Sequence, residues 1–238
     1  MEAEGREWPR IIVMTEGAPA HPPAVLRNAE SGDAAEVAGV LAECFPALYR
    51  STFGRQGNAA IASLLNDLYD SGHLSLADTR LCDVAGRVAG VMILHTGQPI
   101  GRGTMLSFWR LLRSRYGMAR TPRMFLGGIL ANLMLERRIP CAADLVYVEA
   151  LAVSEAHRNR GIGSLLLADA EQWALERGRT RLALHVLAGN AGARRLYRRV
   201  GFRPWHEVEG GPPARVTSSA SAWTAVLMAR RLSPEPQA

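Results

Sequence analysis

Apolar residues recur along much of the chain at the intervals that helices and strands require. Four of them have helical spacing near the start: Val37, Val40, Leu41 and Cys44. Asp33 precedes them, and Glu36 stands three residues later in the arrangement of a capping box. We therefore predict a helix over about 33–44. A second predicted helix carries Ile61, Leu64, Leu65 and Leu68.

Short runs of β-branched and apolar residues between turn residues predict the strands. The predicted strands are 25–29, 80–84, 88–94, 145–153, 182–187, 202–208 and 222–229. The turn Ala85-Gly86-Arg87 joins the second and third of these into a β-hairpin. Amphipathic patterns predict two later helices, at 162–177 and 190–200. This order of elements predicts a mixed α/β domain.

The segment 96–143 interrupts this order. It begins with glycine and proline residues and then contains two helical patterns, 104–117 and 122–138, separated by Pro122. We interpret it as a helical insertion in one domain spanning 24–232. Residues 1–23, rich in proline, are predicted to form a flexible tail, and 233–238 a second one.

The amino-acid composition indicates which kinds of molecule the protein binds. The chain has 238 residues, 48% of them hydrophobic, which is enough for one substantial core. Its formal net charge is +6, and every basic side chain other than histidine is arginine. Such a surface attracts anions. We expect no nucleic-acid partner, because no basic stripe with interleaved aromatic residues occurs.

The cysteines point to a reducing compartment. Cys44, Cys82 and Cys141 are few and far apart, so we expect free thiols and a cytoplasmic protein. No Cys/His spacing suggests a metal site, and none is expected. The first ten residues lack the apolar run of a signal peptide, and the longest apolar stretch, 124–135, is shorter than the roughly 20 residues that cross a bilayer.

A glycine-containing loop between the predicted strand 145–153 and the helix after it carries the strongest chemical signal. The first N–H groups of a helix lack internal acceptors, and the helix dipole favours negative charge there. Gly161 and Gly163 let a phosphate approach the backbone closely, and Arg158 and Arg160 add positive charge. The loop therefore predicts an anion site. It matches neither a Walker loop nor the dinucleotide fingerprint.

The residues around the loop identify a resemblance. Arg158-x-x-Gly161-x-Gly163 resembles the acetyl-CoA signature of the GNAT superfamily, Arg/Gln-x-x-Gly-x-Gly/Ala. The preceding Glu149-Ala150-Leu151-Ala152-Val153 resembles that family's cofactor-binding strand. Asn190-x-x-Ala193-x-x-Leu196-Tyr197-x-x-x-Gly201-Phe202 resembles its second motif. All three occur in the family's order and spacing.

The resemblance implies a fold and a cofactor site. The fold would be a mixed, mostly antiparallel central sheet flanked by helices. Backbone groups of Leu151, Ala152 and Val153 would pair with the pantetheine arm of acetyl-CoA. Amides of Arg158, Asn159, Arg160, Gly161, Ile162, Gly163 and Ser164 would hold the pyrophosphate. Asn190, with Ala193 in the same motif, would contact the pantetheine or order the helix start, and both readings remain open.

The resemblance also implies a catalytic pair. Tyr197 occupies the position where the family commonly has the general acid that protonates the leaving thiolate. Glu149 is the candidate base that takes a proton from the attacking amine. Each has a structural alternative: a half-buried core tyrosine, and a glutamate that orients substrate. His185, on the next predicted strand, is an alternative base.

These features predict an enzyme that transfers an acetyl group from acetyl-CoA to a primary amine by direct attack. We expect a small-molecule acceptor. The alternatives are a protein or peptide acceptor, or a non-catalytic acyl-CoA-binding module. The insertion has three interpretations, namely an acceptor lid or wall, a homodimer contact and an amphipathic membrane-surface element. Membrane contact is not expected.

Overall fold

The computed structural model describes residues 11–13, 22–46, 57–71, 74–96, 106, 109–118, 142–209, 215–216 and 225–232. The chain divides into two compact units. The first unit contains residues 1–93, 101–127 and 150–166, and the second contains 94–100, 128–149 and 167–238. The predicted helix 122–138 and Cys141 lie outside the described residues. Among those described, no helix is both long and apolar enough to cross a membrane.

The first unit has helices and an antiparallel sheet. Its elements are β1 (Ile11–Val13), β2 (Ala24–Asn28), α1 (Ala34–Cys44), α2 (Gly57–Asp70), β3 (Thr79–Val84), most of β4 (Arg87–Thr96), helix α3 (109–118), the end of β5 (Leu145–Val153) and the start of α4 (Ile162–Glu176). The pairs β1–β2, β2–β3 and β3–β4 are antiparallel. Strand β1 lies within the segment predicted as a tail, where its β-branched residues pair with the edge of β2.

The core of this unit explains why apolar spacing in the sequence predicted these helices. Val37, Val40 and Leu41 of α1 are buried with Ile61 and Leu65 of α2. These residues share one face of each helix because they recur at intervals of three and four. The hairpin β3–β4 contributes further buried residues, Leu81, Val88, Val91 and Ile93. The predicted helix over 33–44, the predicted helix that carries Ile61 and the hairpin are confirmed.

The predicted capping box at the start of α1 is wrong. The Asp33 carboxylate accepts a hydrogen bond from the Glu30 N–H at 2.7 Å, so the box belongs to the preceding 3₁₀ turn. Arg27 also bonds this carboxylate, at 2.6 Å. Glu36 is engaged elsewhere, since its Oε2 accepts from the Val88 N–H at 2.8 Å. A partner 52 positions away thus holds Glu36, whereas the nearby residues Glu30 and Arg27 hold Asp33.

Gly90 of β4 permits helix α4 to pack closely on the sheet. A Cβ at this position would lie 2.7 Å from Cγ2 of Ile162 and 3.0 Å from Cδ1 of Leu166. Both are α4 side chains that are almost fully buried. Close-packed interiors do not accommodate such an overlap without displacing a neighbour.

We expect Gly90→Ala to lower the free energy of unfolding by about 1–3 kcal/mol, because overpacking forces side chains or backbone to move. Loss of a flexible glycine offsets only about 0.5–1 kcal/mol of that. Urea denaturation measures the change. Gly32→Ala is the control, since nothing lies within 4 Å of a Cβ there. Equal stability of the two variants would contradict the packing argument.

The described part of the insertion packs on α2. Leu112 of α3 is 1% exposed. Arg115 forms an ion pair with Asp67 at 3.0 Å and donates to the Ser63 hydroxyl at 2.9 Å. The Tyr116 hydroxyl donates to the Ala60 carbonyl at 3.4 Å. This part of the insertion is therefore anchored along one side of α2.

The second unit is built around a different set of strands. Its elements are the end of β4, the start of β5, most of α4, β6 (Arg181–Leu187), α5 (Ala191–Arg199), β7 (Arg203–Pro204), α6 (Trp205–Glu209), β8 (Arg215–Val216) and β9 (Ala225–Arg231). Strands β5 and β6 are parallel, whereas β6–β9, β7–β9 and β8–β9 are antiparallel. The mixed, mostly antiparallel sheet with flanking helices is confirmed.

An ion pair holds the beginning of β5 beside that of β6. The Arg181 guanidinium bonds both carboxylate oxygens of Asp144, and the Thr180 hydroxyl donates to the same carboxylate at 2.9 Å. These hydrogen bonds lower the pKa of Asp144 to about 2. The backbone N–H groups of Thr180 and Arg181 also donate to the Asp144 carbonyl.

The prediction of a strand over 202–208 is wrong in most of its length. Only Arg203–Pro204 pairs with β9, and Trp205–Glu209 is a short helix. Pro204 has no N–H to donate to a ladder and is common at strand edges and at helix starts. The apolar residues Trp205 and Val208 still pack against the core, from one side of a helical turn.

Candidate active site

The glycine loop has the geometry of an anion site. Helix α4 begins at Ile162, and its first intrahelical hydrogen bond runs from the Leu165 N–H to the Gly161 carbonyl at 3.0 Å. The amides of Gly161, Ile162, Gly163 and Ser164 therefore precede the first helical donor. These are the N–H groups that a helix leaves for outside acceptors.

Two residues with positive φ shape this loop. Asn159 has φ 61° and Gly161 has φ 82°. The left-handed region is open to glycine and tolerated by asparagine. The residues from Arg158 to Gly161 are exposed. The turn thus presents its backbone at the surface of the first unit, where the sequence predicted phosphate binding.

The orientation of β5 follows from one hydrogen bond. The Ser154 N–H donates to the Ala89 carbonyl of β4 at 2.9 Å. Since a trans peptide directs its N–H and C=O to opposite sides, the Val153 carbonyl points away from β4. Alternation along the strand places the polar groups of Leu151 on that same side and those of Ala152 toward β4. Leu151 and Val153 therefore direct their backbone polar groups away from β4.

The side chain of Arg158 folds back onto the protein. Its Nε donates to the Val153 carbonyl at 3.2 Å, and its guanidinium lies 3.7 Å from Sγ of Cys44. The Cys44 thiol donates to the same carbonyl at 3.3 Å. Sequence reasoning missed Cys44, because no local spacing connects it with a loop more than 100 residues later.

Asn190 caps helix α5. Its side-chain oxygen accepts from the Ala193 N–H at 3.0 Å, which satisfies one of the helix's unpaired donors. Asn190 therefore orders the start of the helix. The Ala193 N–H is used in this hydrogen bond. Both residues lie at the solvent-facing start of α5 in the second unit.

Tyr197 lies in the interior of the second unit. Tyr197 is 7% exposed, and the centroid of its ring lies 5.9 Å from the ring centroid of Phe202. Desolvation raises the pKa of Tyr197 to about 12. No hydrogen-bond partner for its hydroxyl occurs among the described residues. A phenol in this state keeps its proton near neutral pH.

Glu149 stands at the point where β5 leaves its parallel partner. The β5–β6 ladder ends with Val148 opposite Leu184. The Glu149 side chain is exposed to solvent, yet desolvation by the surrounding protein raises its pKa above the ordinary value.

His95, at the end of β4, is a neighbour that sequence reasoning missed. Its charge opposes the rise in the pKa of Glu149, so the two groups interact electrostatically. The sequence feature that indicates His95 is its position directly after the apolar run 88–94.

The alternative base His185 is engaged with a tyrosine. Its Nδ1 lies 2.9 Å from the Tyr147 hydroxyl, and the two rings meet edge to face with centroids 5.8 Å apart. Tyr147 is 5% exposed and belongs to a buried cluster with Leu145 and Ala183. These contacts favour a structural role for His185, in the wall of the second unit's core.

Known proteins are similar to this chain. The model of the Acetyltransferase (GNAT) family matches residues 58–202. The streptothricin acetyltransferase of Streptomyces lavendulae is 44% identical over 55 residues, which are 23% of this chain. The matched segment spans 29% of that relative's length.

Solved structures show the same fold. An N-acetyltransferase from Staphylococcus aureus Mu50 superposes with a TM-score of 0.59 at 17% identity, covering 86% of this chain and 98% of the other. Ard1 from Thermoplasma volcanium gives 0.53 at 16% identity, covering 89% and 99%. At such identities the likeness concerns the fold alone. The family match covers more than half of the chain, from α2 through the glycine loop to the end of α5. The chain therefore belongs to the GNAT acetyltransferase family, whose members are acyltransferases.

Proposed function

We propose that the protein transfers the acetyl group of acetyl-CoA directly to a primary amine of a small molecule, within a ternary complex. The observation that carries this proposal is the glycine loop, where the amides of Gly161 to Ser164 precede the first helical hydrogen bond of α4. Four N–H groups at a helix start suit a pyrophosphate. The family match supplies acetyl-CoA as the donor.

In the proposed reaction the amine nitrogen attacks the thioester carbonyl carbon, and the C–S bond then breaks. Glu149 takes the proton that the amine loses, directly or through a water. Its raised pKa suits a base, because a group with higher proton affinity removes a proton more effectively at moderate pH. Tyr197 donates its hydroxyl proton to the departing thiolate. Its hydroxyl has no described partner to compete for that proton.

A small-molecule acceptor is supported by the relative named streptothricin acetyltransferase. Its similarity is confined to a short segment, so the acceptor stands as part of the proposal. Packing of α3 along α2 supports the wall interpretation of the insertion over a freely moving lid, since the Arg115–Asp67 ion pair and the Tyr116–Ala60 hydrogen bond join the two helices.

Release of free thiol from acetyl-CoA tests the proposal. A panel of small primary amines, amino acids and short peptides is offered to the purified protein, and mass spectrometry identifies any acetylated product. We expect turnover with at least one small amine. Turnover with peptides alone would overturn the acceptor class, and binding of acetyl-CoA without turnover of any amine would overturn the enzymatic role.

The proposed base predicts a pH dependence. Glu149 acts as a base only when deprotonated, so kcat/KM falls as the pH drops through its pKa. Because that pKa is raised, the fall occurs at higher pH than an ordinary carboxyl group would give. We expect Glu149→Gln to remove this low-pH limb and to lower kcat about 100-fold.

The pH profile is measured with two acceptors whose amines differ in pKa, because a limb common to both belongs to the enzyme. Glu176→Gln, at the exposed end of α4, is the matched control and should keep the wild-type profile. An unchanged profile in Glu149→Gln would assign the base elsewhere, with His185 the next group to test.

A further inference from the structure

We propose that Arg158 of the signature is a positioning residue rather than a phosphate ligand. Together with Cys44 it holds the end of β5 in the geometry that the pantetheine arm requires. This inference rests on the proposed use of acetyl-CoA. It gives Cys44 a role in holding β5, and it gives different roles to Arg158 and Arg160.

The Val153 carbonyl is the centre of this arrangement. It points away from β4, because the Ser154 N–H of the same peptide donates to Ala89. A carbonyl oxygen has two lone pairs, and two donors approach this one: Nε of Arg158 at 3.2 Å and the thiol of Cys44 at 3.3 Å. The acceptor capacity of this carbonyl is therefore used within the protein. The Val153 N–H, on the same side of the strand, is left as the group that pantetheine meets.

Two further donors of Arg158 also bond the protein. Its backbone N–H donates to the Glu155 carbonyl at 3.3 Å, within the 3₁₀ turn Glu155–His157. Its guanidinium also lies 3.7 Å from Sγ of Cys44. A guanidinium bound in this way is turned toward the strand and helix α1. Arg160, exposed two residues later, is the arginine whose charge remains for the phosphates.

Helix α1 completes the support. Cys44 is its last residue, and the Glu43 carboxylate accepts from the Glu155 N–H at 3.0 Å. The last turn of α1 therefore binds the chain immediately before and after Ser154. The contacts join residues more than 100 positions apart, all within the first unit. They fix the path of the chain from β5 into the glycine loop before any ligand arrives.

The two possible roles of Arg158 differ in which part of the cofactor they affect. A phosphate ligand contributes only when the pyrophosphate is present. A residue that positions β5 contributes also to binding of the pantetheine arm alone. S-acetylpantetheine, which carries the thioester and the arm but no nucleotide, distinguishes the two roles when compared with acetyl-CoA.

We expect Arg158→Ala to raise KM for both donors by the same factor, about tenfold, with kcat per active site little changed. Arg160→Ala is the matched control and should raise KM for acetyl-CoA only. Cys44→Ala should raise KM for both donors about threefold, and Cys44→Ser, which keeps a donor, should restore most of the loss. General destabilisation would instead lower the active fraction and leave the two values of KM unchanged.

A rise in KM confined to acetyl-CoA in Arg158→Ala would overturn the proposal, as would equal effects of Cys44→Ala and Cys44→Ser. If Arg158→Ala does not fold, Arg158→Lys replaces it, because an ammonium group does not reproduce the fork that reaches both the carbonyl and the thiol. If the wild-type protein acetylates no amine, calorimetric binding of coenzyme A and of pantetheine gives the same comparison. Failure of the reaction is thereby kept separate from failure of this inference.

Discussion

Gly163→Glu is expected to weaken binding of coenzyme A by at least about 100-fold. Gly163 occupies the first turn of α4, beside amides that have no helical acceptor. A glutamate there places two methylene groups and a carboxylate where the pyrophosphate would bind, and two groups of negative charge a few ångströms apart repel strongly. Isothermal titration calorimetry measures the affinity.

The same substitution should leave the fold intact, because a negative charge in the first turn of a helix is favoured by the helix dipole. Thermal unfolding checks this. Gly163→Ala is the matched control, since the signature accepts alanine at that position, and should bind coenzyme A with an affinity within about tenfold of the wild type. Tight binding by the glutamate variant would place the phosphates elsewhere.

Tyr197→Phe is expected to lower kcat by about 100-fold or more while leaving the affinity for acetyl-CoA within about twofold. The substitution removes the proposed proton donor but keeps the ring, which is 7% exposed and packs against Phe202. Because the hydroxyl has no described hydrogen-bond partner, its removal strands no other group. Steady-state kinetics and calorimetry measure the two quantities.

Tyr69→Phe, in α2, is the control tyrosine for this experiment. Its hydroxyl contacts the Thr79 side chain at 3.4 Å and takes no part in the proposed chemistry. Since the pKa of Tyr197 is about 12, the wild-type enzyme should show no loss of activity from its ionisation below about pH 10. Wild-type turnover by Tyr197→Phe would remove this residue from the mechanism.

Together, the predictions on Gly163, Tyr197 and Glu149 separate the parts of the proposed site. Gly163 reports on cofactor binding, Tyr197 on departure of the thiolate and Glu149 on activation of the amine. The acceptor is addressed independently by the amine panel. Each measurement therefore tests a single assignment, and disproving one assignment leaves the others open to test.

The amino-acid sequence determined the elements whose burial has a local period. The helices α1, α2 and α4, the hairpin β3–β4 and strand β5 were predicted closely, because residues that face one core recur at regular intervals in the chain. The anion site at the glycine loop was also predicted from the sequence, since its helix-start amides and its glycines lie within a few residues of one another. From such local patterns the fold class and the family followed.

Tertiary structure decided what depends on partners distant in the chain. Glu36 bonds the Val88 N–H of β4, a partner 52 positions away, instead of capping the start of its own helix. The contacts of Cys44 with Val153 and Arg158, and the interaction of His95 with Glu149, join residues separated by some 50 to 115 positions. No periodicity encodes such pairs, because they form only when the folded chain brings separate elements together. The sequence alone thus identified the loop as an anion site, and the fold determined which of its arginines faces the protein.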